Sequence, residues 1–224
     1  MKRLVEILKK IYHFPQRTYR YLLRVKYLKE LQSLIPSEYS IISSNCMSGR
    51  ICQDLKREYN SPTAGLFFYA EDFVKFVAGL KENLKREVIF IPQSKYKIAN
   101  EKMKRRKWIY PIGQLKDTDI EIHFLHYHSE KDALEKWNRR CSRIKDKIFV
   151  IGMEQNLPNK EIVKKFSELP LKNKVYFCTS SCQYDSSIVN IKEFSHLEEV
   201  ANPYTKAHIY YRYLVNYLKM HPLS

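Results

Sequence analysis

Ile41-Ile-Ser-Ser-Asn-Cys-Met-Ser-Gly-Arg50 decides how the chain is read. Two β-branched residues lead into a cluster of small polar groups. A cysteine, a glycine and an arginine follow, and Ile51 and Leu55 then set a helical spacing. The pattern predicts a strand, a tight loop and a helix start. In an α/β protein such a loop is a ligand site, because the helix N-terminus presents backbone N–H groups that the helix leaves unpaired.

Working outward, Tyr39–Ile42 is the expected first strand and Arg50–Glu58 the expected helix. Leu66-Phe-Phe-Tyr69 reads as a buried strand and 70–84 as a helix with Phe73, Phe76, Val77 and Leu80 inward. Val88–Ile91 is a further strand. In Ile120-Glu-Ile-His-Phe124 the alternation places Ile120, Ile122 and Phe124 on one face, and Glu121 and His123 on the other. Ser129 is suited to cap a helix whose stripe holds Ala133, Trp137, Arg140 and Ile144. Strands at 147–152, 174–179 and 188–191 and helices at 158–166 and 204–218 complete the chain. This alternation predicts a three-layer α/β/α fold with a mainly parallel or mixed sheet, plus a basic N-terminal helical extension.

That extension sets the domain reading: residues 1–35 as a basic amphipathic leader, 36–224 as one α/β domain. Leu4, Ile7, Leu8 and Ile11, then Tyr19, Leu22, Leu23, Tyr27, Leu28 and Leu31 after Pro15, repeat an apolar helical face. Nine Lys and Arg residues lie between them against Glu6 and Glu30. A helical hairpin or kinked helix is expected. It either lies on an anionic membrane surface or packs on the domain with its basic face solvated.

The whole chain, 224 residues long, carries a formal charge of +16, so an anionic partner is expected. At 44% hydrophobic residues it buries a large core and is not disordered. Lys95–Lys107 is strongly basic, but no nucleic-acid motif accompanies it, which argues against nucleic acid as the partner. The 17 tyrosines fit amphipathic surfaces or a polar substrate groove. No apolar run approaches a membrane span, and Glu6, Lys9 and Lys10 break the apolar start that a secretory signal needs. Five cysteines without CxxC spacing, Cys178 and Cys182 among them, read as free thiols of a reducing compartment.

Three constellations are suited to chemistry. Cys46, just ahead of a helix, would have its thiolate stabilised by the helix dipole, with Arg50 adding charge if it folds back. His123 and His126, with His128 nearby, lie at a strand end where an α/β enzyme keeps its base, and a distant Cys/His pair is the usual arrangement for a thiol nucleophile. The spacing His-x-x-His-x-His lacks an accompanying carboxylate, so no metal is expected. Arg140 shares a stripe with the inward Trp137 and suits a carboxylate or phosphate. Ser44 and Asn45 in the loop and Asn60 and Ser61 in the next turn are candidate substrate ligands.

Several of these segments resemble a known family. Ile42-Ser-Ser-Asn-Cys-Met-Ser-Gly-Arg-Ile51, Glu58-Tyr-Asn-Ser-Pro-Thr63, Gly65-Leu-Phe-Phe68, Tyr110-Pro-Ile-Gly113, Asp119-Ile-Glu-Ile-His-Phe-Leu-His-Tyr127 and Glu135-Lys-Trp-Asn-Arg-Arg140 are similar, in order, to bacterial domain of unknown function family 1919. So are Leu169-Pro170 and Lys172-Asn-Lys-Val175. The likeness covers residues 38 to 190. It departs at Met47 and Ser48, where an aromatic residue and a second glycine are usual. Members are often labelled exopolysaccharide or capsular polysaccharide biosynthesis proteins. The resemblance therefore implies an α/β domain working on cell-surface glycan at the cytoplasmic side of the membrane. The expected function is a transferase modifying such a polysaccharide or its lipid-linked precursor. Cys46 would be its nucleophile, His123 or His126 its base, and Asn45 with loop N–H groups its oxyanion site. Arg50, Arg140 and residues 102–107 would hold phosphate. An acyl or nucleotide-activated compound would be the donor. The alternative is a non-catalytic membrane-associated factor that binds anionic glycan precursors.

Overall fold

The computed structural model describes residues 2–179 and 184–224, with side chains from residue 18 onward. Cys182 lies outside the described residues. A four-stranded sheet forms the middle layer, in the order β1 (Tyr39–Ser43), β5 (Lys147–Met153), β6 (Lys174–Cys178), β7 (Ile188–Asn190). Every pairing in it is parallel, with Ile42 opposite Val150 and Ile151 opposite Val175. The sheet is covered on both faces, as parallel sheets usually are. Ile42, Val150 and Tyr176 enter one core, with α3 (Ala70–Ala78), α6 (Glu130–Cys141) and α7 (Lys160–Ser167). Ile41, Phe149, Ile151, Val175 and Phe177 enter the other, with α1 (Lys2–Leu34), α2 (Met47–Asp54) and α8 (Pro203–Met220). Successive strand residues thus feed opposite cores, which makes a three-layer α/β/α fold.

The connection from β1 to β5 carries a second, antiparallel sheet. Its order is β2 (Val88–Phe90), β3 (Ile112–Leu115), β4 (Glu121–His123). β3 was not foreseen. Gly113 sits in it because a Cβ there would stand 2.5 Å from Val88 Cγ1. The expected strand at Leu66–Tyr69 is a single bridge, in which Phe67 and His123 exchange backbone hydrogen bonds of 3.0 and 2.9 Å. The expected helix 70–84 is two helices, α3 and α4 (Leu80–Asn83), broken at Gly79. Asn83 Nδ2 donates to the carbonyls of Lys75 and Phe76 and so satisfies the end of α3.

The leader is one helix, continuous past Pro15, and not a hairpin. Its C-terminal part belongs to the core: Leu31 and Ile35 are fully buried among Tyr210, Tyr211, Leu214 and Leu218 of α8. Glu30 pairs with Lys219 of that helix. Tyr19, Tyr21 and Leu22, about three turns earlier, are exposed.

Candidate functional site

A cleft of about 890 Å³ opens beyond the C-terminal ends of β1 and β5. Asn45 and Cys46 reach it from the loop after β1, Gln155 and Asn156 from the loop after β5. The far walls are α5 (Lys97–Arg106), the segment Trp108–Tyr110, the Leu125–Tyr127 turn, α6 and the start of α8. This is the position at which open α/β sheets hold their ligands.

The β1–α2 loop is tied by its own side chains. Ser43 Oγ accepts from the Ser48 N–H at 2.8 Å, and Asn45 Oδ1 accepts from the Met47 N–H at 3.0 Å. These two bonds start α2 at Met47, three residues before the expected Arg50. They also occupy two N–H groups that the sequence reading offered to an oxyanion. Asn45 Nδ2 donates to Gln155 Oε1 at 2.6 Å and thereby bridges the two sheet loops that floor the cleft. Cys46 is buried at the head of α2 and its thiol donates to the Leu66 carbonyl at 3.6 Å. Burial pushes that thiol up from 9.0 to about 11, so desolvation outweighs the helix dipole and no ready thiolate results.

Gly65 follows with a φ of +82°, and a Cβ there would meet the Tyr127 ring at 3.3 Å. Next to it the Ala64 carbonyl accepts from Tyr127 Oη at 2.7 Å and from Arg140 Nη1 at 2.6 Å. Arg140 stacks over Tyr59 at 5.1 Å and lines the cleft. Lys102, Arg106 and Lys136 join it, against Glu199 as the carboxylate in the lining. Between these charges stand Tyr59, Phe67, Trp108, Tyr110, Tyr127 and Tyr204. His126 is exposed at the rim, where partial desolvation lowers its pKa.

Of the residues singled out from the sequence, Asn45, Cys46, His126 and Arg140, with Lys102 and Arg106 of the basic segment 102–107, therefore share one cleft. The others have different work. His123 is fully buried behind the lining, stacked on Phe67 with ring centroids 4.7 Å apart. Arg50 turns away to Asp54 at 3.0 Å instead of folding back on Cys46. Ser44 is buried below the cleft floor. Asn60 and Ser61 seal the exposed edge of β1: Asn60 Nδ2 donates to the Tyr39 carbonyl at 3.2 Å, and Ser61 bonds Thr63, whose hydroxyl accepts from the Ser43 N–H at 3.0 Å. The aromatic lining, Gln155, Asn156 and Glu199 were not foreseen as site residues. Among the described residues no group of three or more His, Cys, Asp and Glu is placed to hold a metal ion, and no helix is long and apolar enough to cross a membrane.

The model of a family described as a domain of unknown function (DUF1919) matches residues 18–221. The chain belongs to this family. An uncharacterized protein of Haemophilus influenzae is 32% identical over 164 residues, which are 73% of this chain and 72% of that protein. The family match is wider than the motifs at 38–190. It takes in the half of α1 that packs on α8, and all of α8 itself, as the shared core requires.

Proposed function

We propose that the cleft binds a phosphate-bearing sugar, and that the protein is a transferase modifying a cell-surface polysaccharide or its lipid-linked precursor. One observation carries this reading: Lys102, Arg106, Lys136 and Arg140 line one cleft, with Glu199 as the carboxylate in the lining and six aromatic rings beside them. Cations recognise phosphate or pyrophosphate, and aromatic faces suit the apolar faces of sugar rings. Arg140 is already oriented by the Ala64 carbonyl, so it is preorganised toward an anion. The glycan part rests on what the resemblance to family 1919 implies, since members are often labelled as polysaccharide biosynthesis proteins. The exposed Tyr19, Tyr21 and Leu22 beside Arg20 support peripheral attachment of α1 to the anionic inner face of the membrane.

Calorimetry with UDP-glucose, glucose 1-phosphate and glucose tests the substrate class. Both phosphate-bearing compounds are expected to bind and glucose is not. Lys102→Ala/Arg106→Ala should weaken binding at least about tenfold, or roughly 1.4 kcal/mol. Equal binding by that variant, or preference for free glucose, overturns the reading. A second reading, a non-catalytic binding factor, is favoured by the protonated Cys46 and by the wall in front of His123. It predicts polymer output that is unchanged by Cys46→Ala and lost in the Lys102→Ala/Arg106→Ala variant.

A further inference from the structure

Behind the cleft wall lies an acid–imidazole pair with a phenol at its outer end. Glu121 and His123 are two residues apart on β4 and so share a face of the strand. His123 Nε2 is 3.4 Å from Glu121 Oε2. On its other side, His123 Nδ1 is 3.4 Å from the Tyr110 hydroxyl. Tyr110, unlike His123, lines the cleft.

The pair is firmly built. Glu121 accepts from Ser94 Oγ at 2.5 Å and from the Lys95 N–H at 2.6 Å. Its own N–H donates to the buried Asp72, which Lys95 neutralises at 2.6 Å. Burial alone would push the Glu121 carboxyl up, but the nearby His123 imidazole and the bonds from Ser94 Oγ and the Lys95 N–H outweigh it and hold it ionised. Phe67 stacks on the imidazole, and Tyr69 meets it edge-on at 5.0 Å. An ionised carboxylate facing Nε2 selects the tautomer with its proton on that nitrogen. Nδ1 is then a lone pair, and the Tyr110 hydroxyl is the donor facing it. A carboxylate that orients an imidazole, which in turn accepts from a hydroxyl, is the general arrangement of a proton-transfer chain. Two contacts of 3.4 Å are within the looseness expected before a ligand closes a site. A structural core gains little from an ionised carboxylate and an imidazole kept under an aromatic wall.

We propose that Tyr110 is the proton-transfer residue of the cleft, with His123 and Glu121 as the pair that positions and drives it. The identity of the reacting hydroxyl rests on the transferase reading above; the chain itself does not. An acceptor sugar hydroxyl gives its proton to Tyr110 Oη while its oxygen bonds to the activated donor. The phenolic proton moves to His123 Nδ1 in the same event, and Glu121 stabilises the imidazolium. The donor's leaving group departs with the electron pair of the broken bond. The phenol never stands as a free anion, in keeping with burial that raises it to about 12.

Two measurements test this on the whole protein. Long-range proton–nitrogen NMR should find His123 as the neutral tautomer with its proton on Nε2; a proton on Nδ1 overturns the proposal. Phenylmethylsulfonyl fluoride should sulfonylate Tyr110: the oxygen–sulfur bond forms, fluoride leaves with the sulfur–fluorine electron pair, and the proton passes to His123. Peptide mapping should find that label in the wild type and not in Tyr110→Phe. In His123→Gln, with unfolding temperature unchanged, labelling should slow about a hundredfold. A wild-type protein without label at Tyr110, or an undiminished rate in His123→Gln, overturns the proposal. If His123→Gln does not fold, the wild-type tautomer decides. Sugar-phosphate binding with failed labelling rejects the Tyr110 role alone; labelling with failed binding rejects the sugar-phosphate reading alone.

Discussion

Cys46 heads α2, yet its surroundings favour the thiol over the thiolate. A helix N-terminus stabilises an anion through N–H groups that are free to face it. Here the Met47 and Ser48 N–H groups are already bonded to Asn45 and Ser43, and burial removes the water that would solvate a charge. A rise from 9.0 to about 11 cuts the thiolate fraction near pH 8 about a hundredfold. Iodoacetamide should therefore modify the Cys46 peptide of the folded protein about a hundredfold more slowly than the same peptide in urea. Comparable rates would restore Cys46 as a nucleophile. The residue types of the site were legible before the fold. Asn45, Cys46, His126 and Arg140 are polar or reactive groups at strand ends or on an inward stripe. What the sequence could not carry was which of them face open space. The alternation at 120–124 placed Glu121 and His123 on one face correctly. It could not say that Phe67, over fifty residues away, would cover that face.

At the scale of elements, hydrophobic runs and caps were legible and long-range neighbours were not. Ser129 and Asn159 cap α6 and α7 by accepting from the N–H three residues on, a local pattern. The main-sheet strands are apolar runs because both faces are buried. β3 escaped notice because Pro111 and Gly113 break such a run; Gly113 is there for the close approach of Val88, a contact invisible along the chain. For α1, the charge pattern left open a membrane surface or packing on the domain, and the structure buries Leu31, with Ile35 just past the helix end, in the core shared with α8. Leu31→Ala should accordingly destabilise the protein by about 3 kcal/mol, the cost of lost burial plus the cavity left behind. Urea unfolding followed by circular dichroism measures this. An unchanged midpoint would mean that α1 is independent of the domain in solution.

At the scale of the molecule, many protons are kept on buried acids. Burial raises Cys46 and Cys52 to about 11 and Cys141 to about 12, and Tyr110 and Tyr217 also reach about 12. An unfolded chain ionises cysteine near 9 and tyrosine near 10. As pH rises through that window the unfolded state sheds protons that the folded state still holds. It then binds fewer protons, so the slope of stability against pH is negative. The stability these groups lend is fully present below about pH 9 and is lost as pH climbs toward 11 and 12. An opposite effect comes from the formal charge of +16, since discharge of lysine at high pH relieves self-repulsion. About 0.5 M salt shortens the screening length to under about 5 Å and suppresses that contribution. In such salt, the unfolding free energy should fall by at least about 3 kcal/mol between about pH 8.5 and about pH 10.5, with Cys46, Cys52 and Cys141 as the main contributors. Cys52→Ala should flatten part of this slope while leaving stability near pH 7 less affected. A stability that holds level or rises over the same range would mean that these thiols are hydrated, and that the floor of the cleft is open to water.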